Sequence, residues 1–316
     1  FHIIAMGQTT DFAVPTTAGG LLEAQVSAIG DANNVLTLTV TGPMNGTDID
    51  FIHSSMPNIE VLNLTNASIV EGGDSYHRWE VNSGGIATLY QWDGPWNTED
   101  NVVGYAMFYN MPRLSRLSLP KGVTKIGDYA MRYNRKMTTV DLPTGITEIG
   151  RNAFSNTGIT SIAIPAGVTR LADETFYDCK QLQEVSLPDG ITDIGTSCFN
   201  DCEALVDVNI PAQIETIGNY AFYDNQSRTT PIVLPATLKS IGYRAFMYNS
   251  KVESITFSEG LETIGGYAFS NCNAVKAIVL PESIQTLDNN VFEGCDSIPE
   301  FRFPATIKQV PEGILY

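Results

Sequence analysis

Hydrophobic positions recur in this chain as a fixed phrase. Across residues 182–202 the order is Leu182, Val185, Leu187, Pro188, Ile191, Ile194, Gly195, Cys198, Phe199 and Cys202, with mostly polar residues between. The spacing makes Leu182, Val185 and Leu187 the inward side chains of a short strand. Pro188 has no N–H to continue a ladder, so the strand stops and the chain turns there. Ile191 and Ile194 return a second short segment to the core, and Gly195 suits a bend that needs a positive φ or a close backbone approach.

Pro120, Pro143, Pro165, Pro188, Pro211, Pro235, Pro281 and Pro304 close such phrases at steps of about 23 residues. A period of that length predicts stacked units in one elongated body, with parallel strands, and not a closed globule around one cleft. Stacking superposes Met131, Phe154, Phe176, Phe199, Phe222, Phe246, Phe269 and Phe292 into one spine. Three residues further on comes a small polar or thiol residue: Asn134, Cys179, Cys202, Asn225, Asn249, Cys272 and Cys295, with Asn156 read as shifted by one. An inward Asn satisfies backbone groups left unpaired by the bend, and Cys fills the same slot as a small buried side chain. Because the slot accepts Asn, no bridge is needed there, and free thiols are expected. Adjacent rungs would still bring Cys179 near Cys202 and Cys272 near Cys295, within bridging distance.

The period fails in two places. Residues 1–70 form a possible signal remnant, an N-terminal cap and a first repeat-like strand: a helix is expected over 20–28, a strand over 35–40, a helix over 47–55 and a strand over 59–64. The apolar residues 1–7 read either as the end of a signal peptide or as an ordinary first strand. Residues 71–105 are an insertion that holds all three tryptophans, Trp79, Trp92 and Trp96, between glycine-marked turns. Those rings are either recognition hot spots or packing over the first repeats. Residues 106–316 are the repeats.

Thirty-five acidic residues against 18 basic ones, a formal charge of -17, argue against a general nucleic-acid binder. No run of eighteen apolar residues is present, so no transmembrane segment is read from this chain. The three histidines, His2, His53 and His77, all lie outside the repeats. Gly-x-Ser-x-Gly, His-Glu-x-x-His, the phosphate-binding Gly-x-x-x-x-Gly-Lys-Ser/Thr loop and Cys-x-x-Cys do not occur. No catalytic residue, cofactor or metal ligand is therefore assigned.

The combined pattern of Leu, Ile, Pro, Gly, Ala-Phe and Cys/Asn slots resembles the BspA-like, Treponema pallidum-type class of leucine-rich repeat, over residues 107–316. The turn at Asn45, Gly46, Thr47 and Asp48, followed by Ile49, Phe51 and Ile52, is similar to the opening segment of Bacteroides-type members. Ser258 in place of proline, Thr230 and Pro231 inside one strand, and Leu171 with Ala172 for Ile-Gly depart from the pattern. The resemblance implies a mainly β (α+β) fold: a right-handed leucine-rich repeat solenoid of about nine 23-residue units with parallel strands and an N-terminal cap. It also implies a non-enzymatic secreted or cell-surface protein of a bacterial outer envelope. Such a protein binds or adheres to host matrix or cell-surface proteins, here as a monomer. The alternatives are a structural scaffold domain of a larger envelope protein and a glycan-binding module that uses the tryptophans. The candidate contact residues are Arg116, Thr139, Asp141, Ser161, Glu184, Ser186, Asp207, Asn209, Glu253 and Thr256 on the outward strand positions, with Trp79, Trp92 and Trp96 in the insertion. Polar residues on such a face serve solubility equally well.

Overall fold

The computed structural model describes residues 10–76, 96–299 and 302–314. Residues 1–7, Trp79 and Trp92 lie outside that set.

The cap begins with strand β1 (Asp11–Pro15), whose alternating pattern buries Phe12 and Val14. Helix α1 (Leu22–Ile29), a short 3-10 turn (Ala32–Asn34), strand β2 (Thr37–Met44), helix α2 (Gly46–Ser55) and strand β3 (Val61–Ile69) follow. The helices and later strands were expected, with bounds displaced by a few residues, whereas β1 was not. Its five residues end in a proline and are too short for a confident period.

Asp48 holds the two helices together. Its Oδ2 accepts the Asn45 N–H (2.9 Å) in a capping box and the Gly20 N–H (2.6 Å). Its Oδ1 accepts the Leu22 N–H (2.9 Å), so a carboxylate only 1% exposed satisfies donors at both helix starts. Strands β1, β2 and β3 pair in parallel and continue directly into the first repeat strands.

Most repeats contribute two short strands, so the stack carries two parallel rows. The first row holds Arg116–Ser118, Thr139–Asp141, Ser161–Ala163, Glu184–Ser186, Asp207–Val208, Ile232–Val233 and Ile255–Thr256. The second holds Val102–Val103, Lys125–Ile126, Glu148–Ile149, Arg170–Leu171, Asp193–Ile194, Thr216–Ile217, Ser240–Ile241, Thr263–Ile264 and Thr286–Leu287. Between the rows each proline carbonyl accepts the N–H three residues on, as from Pro188 to Ile191 (3.2 Å) and from Pro235 to Leu238 (3.1 Å). The residue that cannot donate thus closes the turn as an acceptor.

The spine is present and one rung longer than the sequence suggested, because Phe108 precedes Met131 in the same register and is equally buried. From Phe154 to Phe292 consecutive rings stack with centroids 5.0–5.7 Å apart and planes within 13°. Burying one such ring contributes about 1.5–3 kcal/mol, and aromatic pairing adds roughly 0.5–1.5 kcal/mol.

Two positions on every rung, two before and two after the spine residue, adopt φ between 48° and 71°. Asn and Asp tolerate this region, but Tyr129, Tyr133, Tyr220, Tyr248 and Tyr267 occupy it as well. The cost is offset because these N–H groups point along the stack: Tyr133 donates to Ser155 O (3.0 Å) and Asp178 to Asn200 O (2.9 Å). Gly195, by contrast, has no positive φ. A Cβ there would sit 2.7 Å from the Ala172 carbonyl carbon of the preceding rung, so the bend needs glycine for close approach.

The slot after the spine is occupied as expected except in the third unit, although Asn225 only accepts a bond, from the Cys202 N–H (3.1 Å), and leaves its Nδ2 without a hydrogen-bond partner. Asn134 Nδ2 donates to Phe108 O (2.7 Å) and Asn249 Nδ2 to Phe222 O (2.8 Å). The thiols of Cys179, Cys202, Cys272 and Cys295 donate to the spine carbonyls of the preceding rungs at 3.0–3.3 Å. All five cysteines are free and buried, and burial pushes the Cys179 thiol up to about 11. In the third unit the slot belongs to Thr157, not Asn156: Thr157 Oγ1 donates to Phe154 O (2.7 Å), while Asn156 takes a left-handed turn position (φ 58°).

Candidate functional site

The stack sorts the candidate contact residues by whether the chain itself already engages them. Arg116 and Asp141 face each other across adjacent strands at 2.8 Å, both about half exposed. Asp141 also accepts the Ser118 hydroxyl (2.6 Å), which first among its neighbours holds this carboxyl below its usual value. Thr139 sits in register with Arg116 and is half-buried. Asn209 copies a strand with its side chain, donating from Nδ2 to Leu187 O (3.1 Å) and accepting the Leu187 N–H (3.0 Å). Its amide is thereby committed to the ladder. Glu253 pairs with Lys276 at 2.5 Å, and Thr256 lies exposed beside Val233.

Ser161, Glu184, Ser186 and Asp207 differ. They occupy three consecutive rungs, with Ser161, Glu184 and Asp207 in register. All four are exposed, and none makes a side-chain hydrogen bond or ion pair among the described residues. The result is a compact patch of two carboxylates and two hydroxyls.

Trp96 packs instead of projecting freely. Its ring meets Tyr105 edge-on at 4.0 Å, and its backbone closes the base of the insertion through Ser75 Oγ (2.8 Å) and the Tyr76 N–H (3.1 Å). The described part of the insertion therefore folds over the first repeats, with Tyr76 1% exposed beneath it.

Two further surfaces escaped the sequence reading. The outward positions of the second strand row run Lys125, Glu148, Arg170, Asp193 and then Thr216, Ser240, Thr263, Thr286. The row changes from charged to hydroxyl-bearing midway, and the hydroxyl half forms a shallow groove of about 470 Å³ over Gly218, Gly242 and Gly265. The period of these threonines was visible, but nothing in one sequence told which side of the returning segment faces water. The turn face is the other surface. It gathers tyrosines into neighbouring contacts, as between Tyr109 and Tyr133 (5.6 Å) and between Tyr243 and Tyr267 (5.8 Å). Arginines lie across them: Arg132 is 4.6 Å above Tyr133 and Arg244 4.9 Å above Tyr243.

The titratable groups inside the fold are held in unreactive forms. His53 of α2 has its Nε2 2.7 Å from Met107 O, and burial lowers its pKa to about 4, so the ring is neutral and donates. Among the described residues no group of three or more His, Cys, Asp or Glu side chains is arranged to hold a metal ion, and no helix is long and apolar enough to cross a membrane.

Residues 101–229 and 225–316 match the family described as the BspA type leucine rich repeat region, in six copies. The chain belongs to the BspA-type leucine-rich repeat family. No curated protein sequence matches it. Among solved structures, a leucine-rich repeat protein from Bacteroides ovatus is 19% identical, with 69% of this chain and 81% of that one covered at a TM-score of 0.34. The Treponema pallidum leucine-rich repeat protein is 25% identical over 47% of this chain and 69% of that one, at a TM-score of 0.43. A leucine-rich cell surface protein from Faecalibacterium prausnitzii is 23% identical over 58% and 72%, at 0.31. At these scores the assignment rests on the repeat match and on the rungs themselves. For a BspA-type chain, the resemblance first seen in the proline and phenylalanine spacing is thereby established.

Proposed function

We propose that this BspA-type chain is a non-enzymatic, secreted or surface-attached bacterial protein that adheres to other proteins, host matrix or cell-surface proteins among them, through its first strand row. The observation that carries this reading is the patch of Ser161, Glu184, Ser186 and Asp207, four exposed polar side chains on consecutive rungs with no side-chain hydrogen bond or ion pair among the described residues, of which only Asp207 feels a nearby cation, the buried Arg228. A rigid stack holds the backbone that presents such side chains, so docking of a large surface has only side chains and not backbone to order. Two carboxylates flanked by hydroxyls suit a partner segment carrying Lys or Arg. The described cysteines, buried and protonated, and His53, neutral and bonded to a backbone carbonyl, offer no nucleophile and base pair at this surface.

The test is saturable binding to a panel of immobilised host matrix proteins, with the wild-type chain compared with a variant carrying alanine at 161, 184, 186 and 207. Binding weakened tenfold or more in the variant, at an unchanged melting midpoint, supports the proposal. Equal binding by both chains, or no binding across the panel, overturns it.

A further inference from the structure

The groove over Gly218, Gly242 and Gly265 follows from two columns of the repeat. Thr216, Ser240, Thr263 and Thr286 stand in register on consecutive rungs, each followed by an inward Ile or Leu. Two residues after the hydroxyl, three of these rungs carry glycine, because a Cβ would run into the backbone of the preceding rung; at Gly265 it would sit 2.7 Å from the Tyr243 nitrogen. That requirement leaves no side chain between the hydroxyl row and the next column, where Asn219 and Tyr243 form the opposite wall. On the last of these rungs Asp288 stands where the others have glycine and closes that end.

Most of the groove's polar groups are open to a ligand. Thr216 already donates to the Asp193 carboxylate, but Ser240, Thr263 and Thr286 make no side-chain hydrogen bond among the described residues. Asn219 Oδ1 accepts the Tyr243 N–H (2.8 Å), which fixes the amide and leaves its Nδ2 donor uncommitted among the described residues. Tyr243 is half-buried, held edge-on by Tyr220 (5.5 Å) and Tyr267 (5.8 Å) and crossed by Arg244 at 4.9 Å. Among the described residues Asp288 is the one charged side chain in the lining; Lys239 and Glu262, beside the row, pair with each other at 3.9 Å. At about 470 Å³ the space is that of a small-ligand cleft, drawn out along the stack.

We infer that this groove binds an extended, uncharged oligosaccharide of β-linked hexoses lying along the stack. Rungs advance about 4.8 Å, close to the length of one such sugar, so successive rings meet successive hydroxyls over a row of roughly 14 Å. An extended peptide advances about 3.3 Å per residue and loses that register within a few residues. A peptide also seeks free backbone groups, and those of the floor are consumed between rungs, as where the Gly242 and Gly265 N–H groups donate to Ile217 O (2.8 Å) and Ile241 O (2.9 Å). A sugar needs what the groove has: hydroxyl and amide partners at each step, and an aromatic ring against which its C–H face can rest. Asp193, next in the row upstream, and Asp288 at the other end accept hydroxyl protons and repel an anionic chain. The site is separate from the first strand row.

Titration calorimetry of the full chain with cellohexaose, mannohexaose and N-acetylchitohexaose, each up to about 2 mM, tests it. At least one is expected to bind with a Kd of about 0.1–1 mM, and α-linked maltohexaose, which coils out of register with the rungs, about tenfold more weakly or worse. Thr263→Val/Thr286→Val removes two hydroxyls and keeps the side-chain shape; it is expected to weaken binding about tenfold or more at an unchanged melting midpoint. Tyr243→Ala is expected to weaken binding as well, and Tyr243→Phe, which keeps the ring, to bind within about threefold of the wild type. The variant with alanine at 161, 184, 186 and 207 is expected to bind the sugar like the wild type, which separates this site from the protein-binding patch. Failure of all three β-linked sugars to bind overturns the inference. So does undiminished binding by Thr263→Val/Thr286→Val, and so does maltohexaose bound as tightly as the β-linked sugars.

Discussion

Residues 202–208 and 225–232 occupy successive storeys of the same stack and differ in one core residue and in length. In the first, Leu205 fills the column that Leu182 and Val252 also fill, and Val208 pairs with Val185. In the second, Arg228 takes the leucine's place, only 2% exposed, and one extra residue precedes Ile232. The first strand row breaks there, since Asp207–Val208 and Ile232–Val233 belong to different sheets. Arg228 Nη2 points at Val208 O (3.4 Å), while its Nε and Nη1 have no partner, and burial lowers its pKa to about 10. The spine runs through both storeys without a gap, with Phe199, Phe222 and Phe246 stacked at 5.2 and 5.0 Å. The core therefore tolerates a flaw at its edge as long as the central column holds, and the surface on either side of the flaw is free to differ.

The comparison fails at once if the spine is not what unites the two storeys. Phe222→Ala is expected to cost about 3–5 kcal/mol in denaturant unfolding, because the rungs above and below cannot collapse into the space. An unchanged midpoint would remove the spine from the account.

A second buried basic side chain sharpens the contrast, because His53 can discharge and Arg228 cannot. The His53 pKa is lowered from 6.5 to about 4, so the unfolded chain binds the proton more readily than the folded one. Stability supplied by the neutral ring is complete above about pH 6.5 and is lost as the pH falls toward 4, by on the order of 2–3 kcal/mol. A His53→Gln variant should lack that portion of the acid sensitivity, read as the difference between the two stability curves from pH 7 to 4.

Arg228→Leu restores the column and is expected to stabilise the chain by about 2 kcal/mol, since a buried guanidinium with two nitrogens lacking hydrogen-bond partners is replaced by an apolar residue of the native pattern. A destabilised variant would mean that the bond to Val208 O outweighs the buried charge. Arg116→Ala is expected to change stability by less than about 1 kcal/mol, because its pair with Asp141 is half exposed and screened.

Much of this architecture was legible in the sequence because the repeat superposes equivalent residues. Prolines, glycines and phenylalanines at one spacing leave few ways to stack, and the free cysteines followed from their exchange with asparagine. In the third unit residue type misled: Asn156 was read as the slot because other rungs carry Asn there, whereas Thr157, three residues after Phe154, fills it. Phe108 was missed because it precedes the first of the recurring prolines, Pro120, and so falls before the phrase begins. The turn face was hidden for a different reason. Tyrosine is a poor marker of left-handed backbone, so nothing in its spacing identified Tyr129 or Tyr220 as turn residues. Strand spacing had no means to tell Asn209, whose amide completes a ladder, from Glu184, whose carboxylate makes no hydrogen bond or ion pair among the described residues.

Hydrogen exchange of the chain with and without a bound protein partner tests the central claim most directly, because it reads both sides of the flaw in one experiment. Added protection is expected in Ser161–Ala163, Glu184–Ser186 and Asp207–Val208, upstream of Arg228, with Ile232–Val233 and Ile255–Thr256 unchanged. Protection confined to the downstream strands or to the groove over Gly218 and Gly242 would contradict it.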